Sequence, residues 1–271
     1  MRFPATVKIP LAFMLTWATL LVFLVAAAPA TTTGPTLLNK LPVGSKRSAG
    51  YDRDKFNLWT TVPGKGCDTG DWVLYRQSWP RQTRCGAETG HWFSAYDGRL
   101  LTRASQADID HMVPLAEAWA SGGNAWRPRQ REAYANDLYP RSLIAVSLSS
   151  NRSKGDSDPA EWLPPRRAYI CRYLTDWVAV KYRWRLTVDS AEKQTITRRF
   201  RSCAPAALSL PNIKRATVPD SQGGGGGTQT DPRFATCTAA IAAGYGPYEK
   251  GKNPEYWWYS DRDGDGVVCE R

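Results

Sequence analysis

Histidine is nearly missing: 271 residues contain only His91 and His111. Any chemistry that needs an imidazole must therefore run on a single one. CxxC spacing is also absent, and neither histidine stands where it would complete a zinc pattern with the cysteines, which argues against a zinc site built on them. No internal repeat is visible. After the first thirty residues no run is apolar enough to cross a membrane.

Those first thirty residues carry Arg2 and Lys8, then a long uncharged run, "IPLAFMLTWATLLVFLVAAAPA", that ends in small residues. This is the pattern of a secretory signal peptide over 1–30, cut near Ala30. The competing reading is an uncleaved membrane anchor. The expected location is outside the cell or on its surface. The chain's net charge of +11 falls by two, to +9, without Arg2 and Lys8. A basic exported protein favours polyanionic partners, whether nucleic acid, envelope polymers or lipid headgroups. All six cysteines lie in the exported part, where an even number implies disulfides. They fall into three local couples, Cys67–Cys85, Cys171–Cys203 and Cys237–Cys269.

"DSQGGGGGTQTDP" divides the chain, because a run of glycines acts as a flexible tether. The expected domains are 31–217, with its globular part starting near Leu41, a linker at 218–230, and a small module at 231–271. The module is too short to bury much core and needs a disulfide or a metal.

In the large domain "ADIDHMV" reads as a short strand and "PLAEAWASG" as a helix with Pro114 in its first turn and glycines behind it. "RPRQREAYAND" is a second helix, "SLIAVS" a strand, and "SSNRSKG" one or two helical turns capped by serine. "RRAYICRYLTDWVAVKYRW" has apolar residues at helical spacing, and a last helix covers about Ser190 to Ser202. A hairpin followed by a helix can bring Asp110 and His111 close to Asn151. Asp110 and Asn151 offer hard oxygens to a divalent cation, and His111 can take a proton from water. That set suits phosphodiester hydrolysis.

"DIDHMVPLAEAWASG", "YANDL" and "LIAVSLSSNRSKGDSDPAEWLPP" together resemble the HNH endonucleases, in the exported branch related to the C-terminal domain of GmrSD restriction enzymes. The resemblance covers about Gly50 to Cys203. It implies an α+β fold, an HNH (ββα-metal) nuclease core embedded in a mainly helical domain. It makes Asp110 and Asn151 metal ligands, His111 the general base, and Lys154 a lysine facing phosphate. The implied ion is Mg²⁺, with Mn²⁺ or Zn²⁺ as alternatives. The implied partner is nucleic acid, DNA ahead of RNA, with no organic cofactor and a monomeric protein. The signature's middle asparagine, which fixes the histidine ring, is replaced by Ser142; Asn136 is the nearest asparagine that could serve. Adjacent strand residues point opposite ways, so the strand is expected to bend at Asp110 and His111 to let both reach one phosphate.

Several residues have plainer readings. Asp108, on the same strand face as Asp110, is a structural partner or a solvated side chain. His91 is a surface residue, Glu117 a salt-bridge partner, and Trp119, Trp126 and Trp162 core residues.

In the small module "SDRDGDGVVCER" puts Asp261, Asp263 and Asp265 at alternate positions before Gly266, as in a calcium loop. An EF-hand needs glutamate at its twelfth place; here the acid, Glu270, comes at the tenth. With "FATCTAAIAAG" and "GPYEKGKNPEYWWYSDRDGDG" the stretch is similar to the excalibur calcium-binding domain. That resemblance implies Asp261, Asp263, Asp265 and Glu270 as Ca²⁺ ligands, and contact with the cell envelope through this module. The rival to a nuclease is a non-catalytic, calcium-dependent envelope-binding protein on an HNH scaffold.

Overall fold

The computed structural model describes residues 31–218, 233–242, 247–251 and 253–270. The expected signal peptide and nearly all of the expected linker lie outside the described residues. Among the described residues no helix is long and apolar enough to cross a membrane.

The large domain opens with β1 (Thr31–Thr33) and α1 (Gly34–Asn39), then α2 (Thr69–Gln77), β2 (Thr89–Phe93), β3 (Leu100–Arg103) and β4 (Ala107–His111). It continues through α3 (Leu115–Ala120), α4 (Pro128–Ala135), β5 (Leu143–Ser147) and α5 (Leu148–Lys154). It closes with α6 (Arg167–Trp184), α7 (Ser190–Phe200), α8 (Pro205–Leu208) and β6 (Ser209–Pro211). Every sheet has two strands: β1 with β6, β2 with β3, and β4 with β5. This is the mainly helical α+β domain expected, with the ββα unit made by β4, β5 and α5.

Helix α6 is the axis of the core. Tyr173, Leu174, Trp177 and Val178 recur at helical spacing and are fully buried. Cys171 near its start is bonded to Cys203 after α7, and Cys67 to Cys85. Trp119 is buried, while Trp126 and Trp162 are partly buried against the core, as their plain reading held. Glu117 is the salt-bridge partner expected: its carboxylate accepts from Lys181 at 2.6 Å and lies 2.9 Å from Lys46. Lys181 also donates to Glu192 at 2.8 Å, and the Trp177 indole donates to the same carboxylate. Burial pushes Glu192 up to about 7, against the pull of Lys181. This buried cluster ties α3, α6 and α7 together.

The globular part begins before Leu41, earlier than expected: β1 pairs with β6, and Leu37 and Leu38 of α1 are buried in the core. The sequence reading placed none of β1, α1, α8 and β6, and it also missed α2 and the β2–β3 hairpin. Neither has a clean apolar period, because each rests on the core through few side chains, chiefly Val73 in α2 and Trp92 and Leu101 in the hairpin.

The small module has α9 (Cys237–Ala242), β7 (Tyr248–Glu249) and β8 (Val267–Val268). The disulfide Cys237–Cys269 holds α9 to the end of β8. Ala240, Tyr248, Tyr256 and Val268 make its own small core.

Candidate active site

Strand β4 pairs antiparallel with β5 in continuous register, from Ala107 opposite Ser147 to His111 opposite Leu143. Ser147 ends β5 and caps α5, its hydroxyl accepting from Ser150 N–H, and Gly155 closes the helix at φ 52°, where a side chain would be strained. Asn151 and Lys154, three residues apart, share the face of α5 that looks onto β4.

That face meets Asp108 and Asp110. The Asn151 amide nitrogen donates to the Asp108 carboxylate at 3.2 Å. Lys154 Nζ reaches both oxygens of Asp110, at 2.8 and 2.6 Å, and the His111 carbonyl at 2.7 Å. The hydroxyl of Tyr96 donates to Asp110 Oδ2 at 2.5 Å. All three side chains are buried. Burial pushes the Asp110 carboxyl up, countered by Lys154, and pushes the Lys154 ammonium down, countered by Asp110.

The expected role of Lys154 is thereby corrected: it does not face outward toward a phosphate but is the counter-charge of Asp110. The physical reason is desolvation, since a carboxylate at 5 % exposure is costly unless an opposite charge and hydrogen bonds meet it.

His111 leaves the strand on the other side. Its ring lies between Trp59, 5.7 Å away at 18°, and Tyr134, 6.2 Å away at 16°. Nε2 is 2.9 Å from the carbonyl oxygen of Ala135 at the end of α4. A carbonyl can only accept, so Nε2 carries the proton and the lone pair sits on Nδ1. Among the described residues no hydrogen bond meets Nδ1, in a ring that is 7 % exposed. Burial lowers this histidine from 6.5 to about 4, so the imidazole is neutral at neutral pH.

Two expectations fail here. The strand does not bend: the ladder continues through His111, and Met112 N–H still donates to Ser142. Nor does Asn136 or Ser142 hold the ring. Ser142 donates to Asp137 at 2.8 Å. Asn136 takes Thr60 N–H at 3.0 Å and donates to the carbonyls of Asn57 and Glu132, each at 2.9 Å. It thus joins the end of α4, which presents the Ala135 carbonyl, to the loop that presents Trp59. Asn136→Ala should lower stability by about 1 kcal/mol, because its half-buried and exposed partners regain water once the amide is gone. Urea unfolding at parental stability would show that this link carries no strain.

The donors on the α5 face fit a hard divalent cation. Asp108 and Asp110 supply carboxylate oxygens on the side of β4 that α5 covers; the Asn151 amide nitrogen points to Asp108, and Asp110 Oδ1 keeps a lone pair beyond its bond to Lys154.

In the small module the carboxylates of Asp261, Asp263 and Asp265 lie within 4.8 Å of one another. Asp261 accepts from Gly264 and Gly266 N–H and from the Tyr256 hydroxyl, and Asp265 accepts from Val267 N–H. These bonds curl the loop, with Gly264 and Gly266 at φ 76° and 86°. Glu270 is exposed yet stands close enough to feel all three aspartates; desolvation by its neighbours and the aspartate charges raise its carboxyl.

His91 is exposed in β2, as expected. Tyr96 and the Ala135 carbonyl are the site groups that the sequence did not signal.

Residues 72–199 match the family model described as GmrSD restriction endonucleases, C-terminal domain, and residues 234–270 match the Excalibur calcium-binding domain. An uncharacterized secreted protein of Arthroderma benhamiae is 43 % identical over 178 residues, covering 65 % of this chain and 87 % of that one. No solved structure matches.

Proposed function

Because the chain belongs to the family of GmrSD restriction endonuclease C-terminal domains and carries an Excalibur calcium-binding domain behind it, we propose that it is an exported, metal-dependent HNH endonuclease. Its reaction is hydrolysis of phosphodiester bonds in nucleic acid, DNA ahead of RNA. The single observation that carries this reading is His111, a neutral imidazole with its Nε2 proton committed to Ala135 and its Nδ1 without a hydrogen-bond partner among the described residues.

In this reading Nδ1 takes the proton from the attacking water. Trp59 and Tyr134 hold the ring plane, and the Ala135 carbonyl holds its tautomer. Asp110 and Asn151 would hold the divalent ion, Mg²⁺ first, with Asp108 orienting the Asn151 amide. When bound, that ion supplies charge stabilisation at the phosphate and the leaving oxygen. Lys154 supplies the counter-charge to Asp110 until then. Asp110 and His111 leave β4 on opposite sides, so the scissile phosphate must straddle the end of that strand.

Export rests on the signal-like leader at 1–30, cut near Ala30, and on the relative's description as secreted. The domains are 31–217 and 231–271 with a linker at 218–230, and the protein acts as a monomer. Incubation of the mature protein with plasmid and Mg²⁺ or Mn²⁺ tests the reading. Cleavage that EDTA abolishes is expected; cleavage indifferent to EDTA would refute it. A second reading, a non-catalytic calcium-dependent envelope-binding protein, draws on one observation: Lys154 neutralises Asp110 without any metal. It requires metal-dependent attachment to cells and no cleavage.

For the small module we assign Ca²⁺ to Asp261, Asp263, Asp265 and Glu270. Titration of the full chain with Ca²⁺ should give a site with Kd of about 10⁻⁴ to 10⁻³ M, the range of extracellular modules. Asp263→Asn with Asp265→Asn should abolish its heat; an unchanged isotherm would remove the assignment.

A further inference from the structure

The β2–β3 hairpin is fastened to the ββα unit along its connecting loop. Ser94 Oγ accepts from Ser147 N–H at 3.0 Å, and the Ser147 hydroxyl donates to Asp97 at 2.5 Å. Tyr96 donates to Asp110, and the Tyr96 carbonyl accepts from Arg166 N–H at 2.9 Å. Arg99 donates to Ser149, two residues before Asn151, at 3.4 Å. The hairpin is therefore set in place relative to the metal-ligand candidates.

What it turns outward is unlike the rest of the surface. Five large hydrophobic side chains stand out as exposed among the described residues, and two of them, Phe93 at 52 % and Leu100 at 64 %, face each other across this hairpin. The guanidinium of Arg166 lies 5.1 Å from the centre of the Phe93 ring, with its stem beside Gly98. Arg99, Arg152, Arg166 and Arg167 are exposed, and among the described residues none is paired with a carboxylate. An apolar pair costs free energy in water, and unpaired arginines around it call for an anion.

We infer that the Phe93–Leu100 face of this hairpin is a platform for single-stranded nucleic acid, with a base stacked on Phe93 and the flanking phosphates on Arg99 and Arg166. A ring backed by a guanidinium accepts any base, because every base offers a π face. The same arginines meet the phosphates on either side. The occupant follows from charge: an apolar protein partner would leave the arginines unmatched, whereas a nucleic-acid strand uses both features. The platform rests on the nuclease reading and gives that site its means of holding substrate.

Anisotropy of a labelled single-stranded oligonucleotide, measured in EDTA so that nothing is cut, tests it on the full mature chain. Phe93→Ser with Leu100→Ser should weaken binding about tenfold without changing the salt dependence. Arg99→Gln with Arg166→Gln should weaken binding and reduce the salt slope by about 1.4, the loss of two phosphate contacts. Both double variants binding like the parent, or a parent that does not bind at all, would overturn the platform. An equal effect of the serine variant on a duplex would overturn the single-strand assignment. A parent that binds as described but never cleaves, with any divalent metal, leaves the platform standing and removes the nuclease reading instead.

Discussion

His111→Ala should lower the rate of metal-dependent cleavage by about 10² to 10⁴, the range lost with a general base. The expectation follows from how the ring is held. Its Nε2 proton is engaged by Ala135, its faces lie against Trp59 and Tyr134, and only Nδ1 is left for water. His91 cannot substitute, being exposed in a different sheet. The comparison needs single-turnover rates at saturating metal, with far-UV circular dichroism to show that the variant is folded. A folded variant within threefold of the parent would exclude His111 as the base, and with it the mechanism, since the chain offers no other imidazole nearby.

The second large effect concerns stability. Lys154→Met keeps the bulk of the side chain and removes its charge, leaving Asp110 buried against Tyr96 alone. Removing one partner of a buried ion pair costs about 3–5 kcal/mol, which in a domain of this size lowers Tm by on the order of 10 °C. In EDTA the variant should melt early or take up a proton on Asp110. Mg²⁺ or Mn²⁺ should raise its Tm more than the parent's, because the ion can fill the place that Lys154 Nζ held. Adding Asp110→Asn should recover much of the loss in EDTA and abolish the rescue by metal. A single variant with parental stability in EDTA would mean the pair contributes nothing, and a Tm indifferent to metal would count against Asp110 as a ligand.

The ββα unit was legible because its pieces are local. "ADIDH" and "LIAVS" are short strands, and a serine before and a glycine after "NRSK" delimit the helix that carries Asn151. The three disulfides follow the three cysteine couples because each pair closes a short loop, of 18 or 32 residues. The aspartates of the small module alternate along one turn, so their convergence is also local.

What holds the site was not legible in the same way. The group that fixes His111 is the carbonyl of Ala135, and every residue has a carbonyl, so no letter in the sequence singles this one out. Asn136, next door, drew attention by its side chain but works one step removed, joining the α4 end to the Trp59 loop. Lys154 reads as an exposed cation in "NRSKG"; only the packing of α5 on β4 turns it inward, 44 residues from Asp110 in sequence. Tyr96 and the hairpin that carries it showed no apolar period, because the hairpin buries only Trp92 and Leu101 and its connecting loop is fixed by serine, aspartate and tyrosine hydrogen bonds. By itself the sequence determined which residues lie along the strands, helix and calcium loop, through spacing and capping. The tertiary structure decided which buried charge meets which, and which backbone atom holds the ring, because desolvation penalises every unpaired group and only packing settles where its partner comes from.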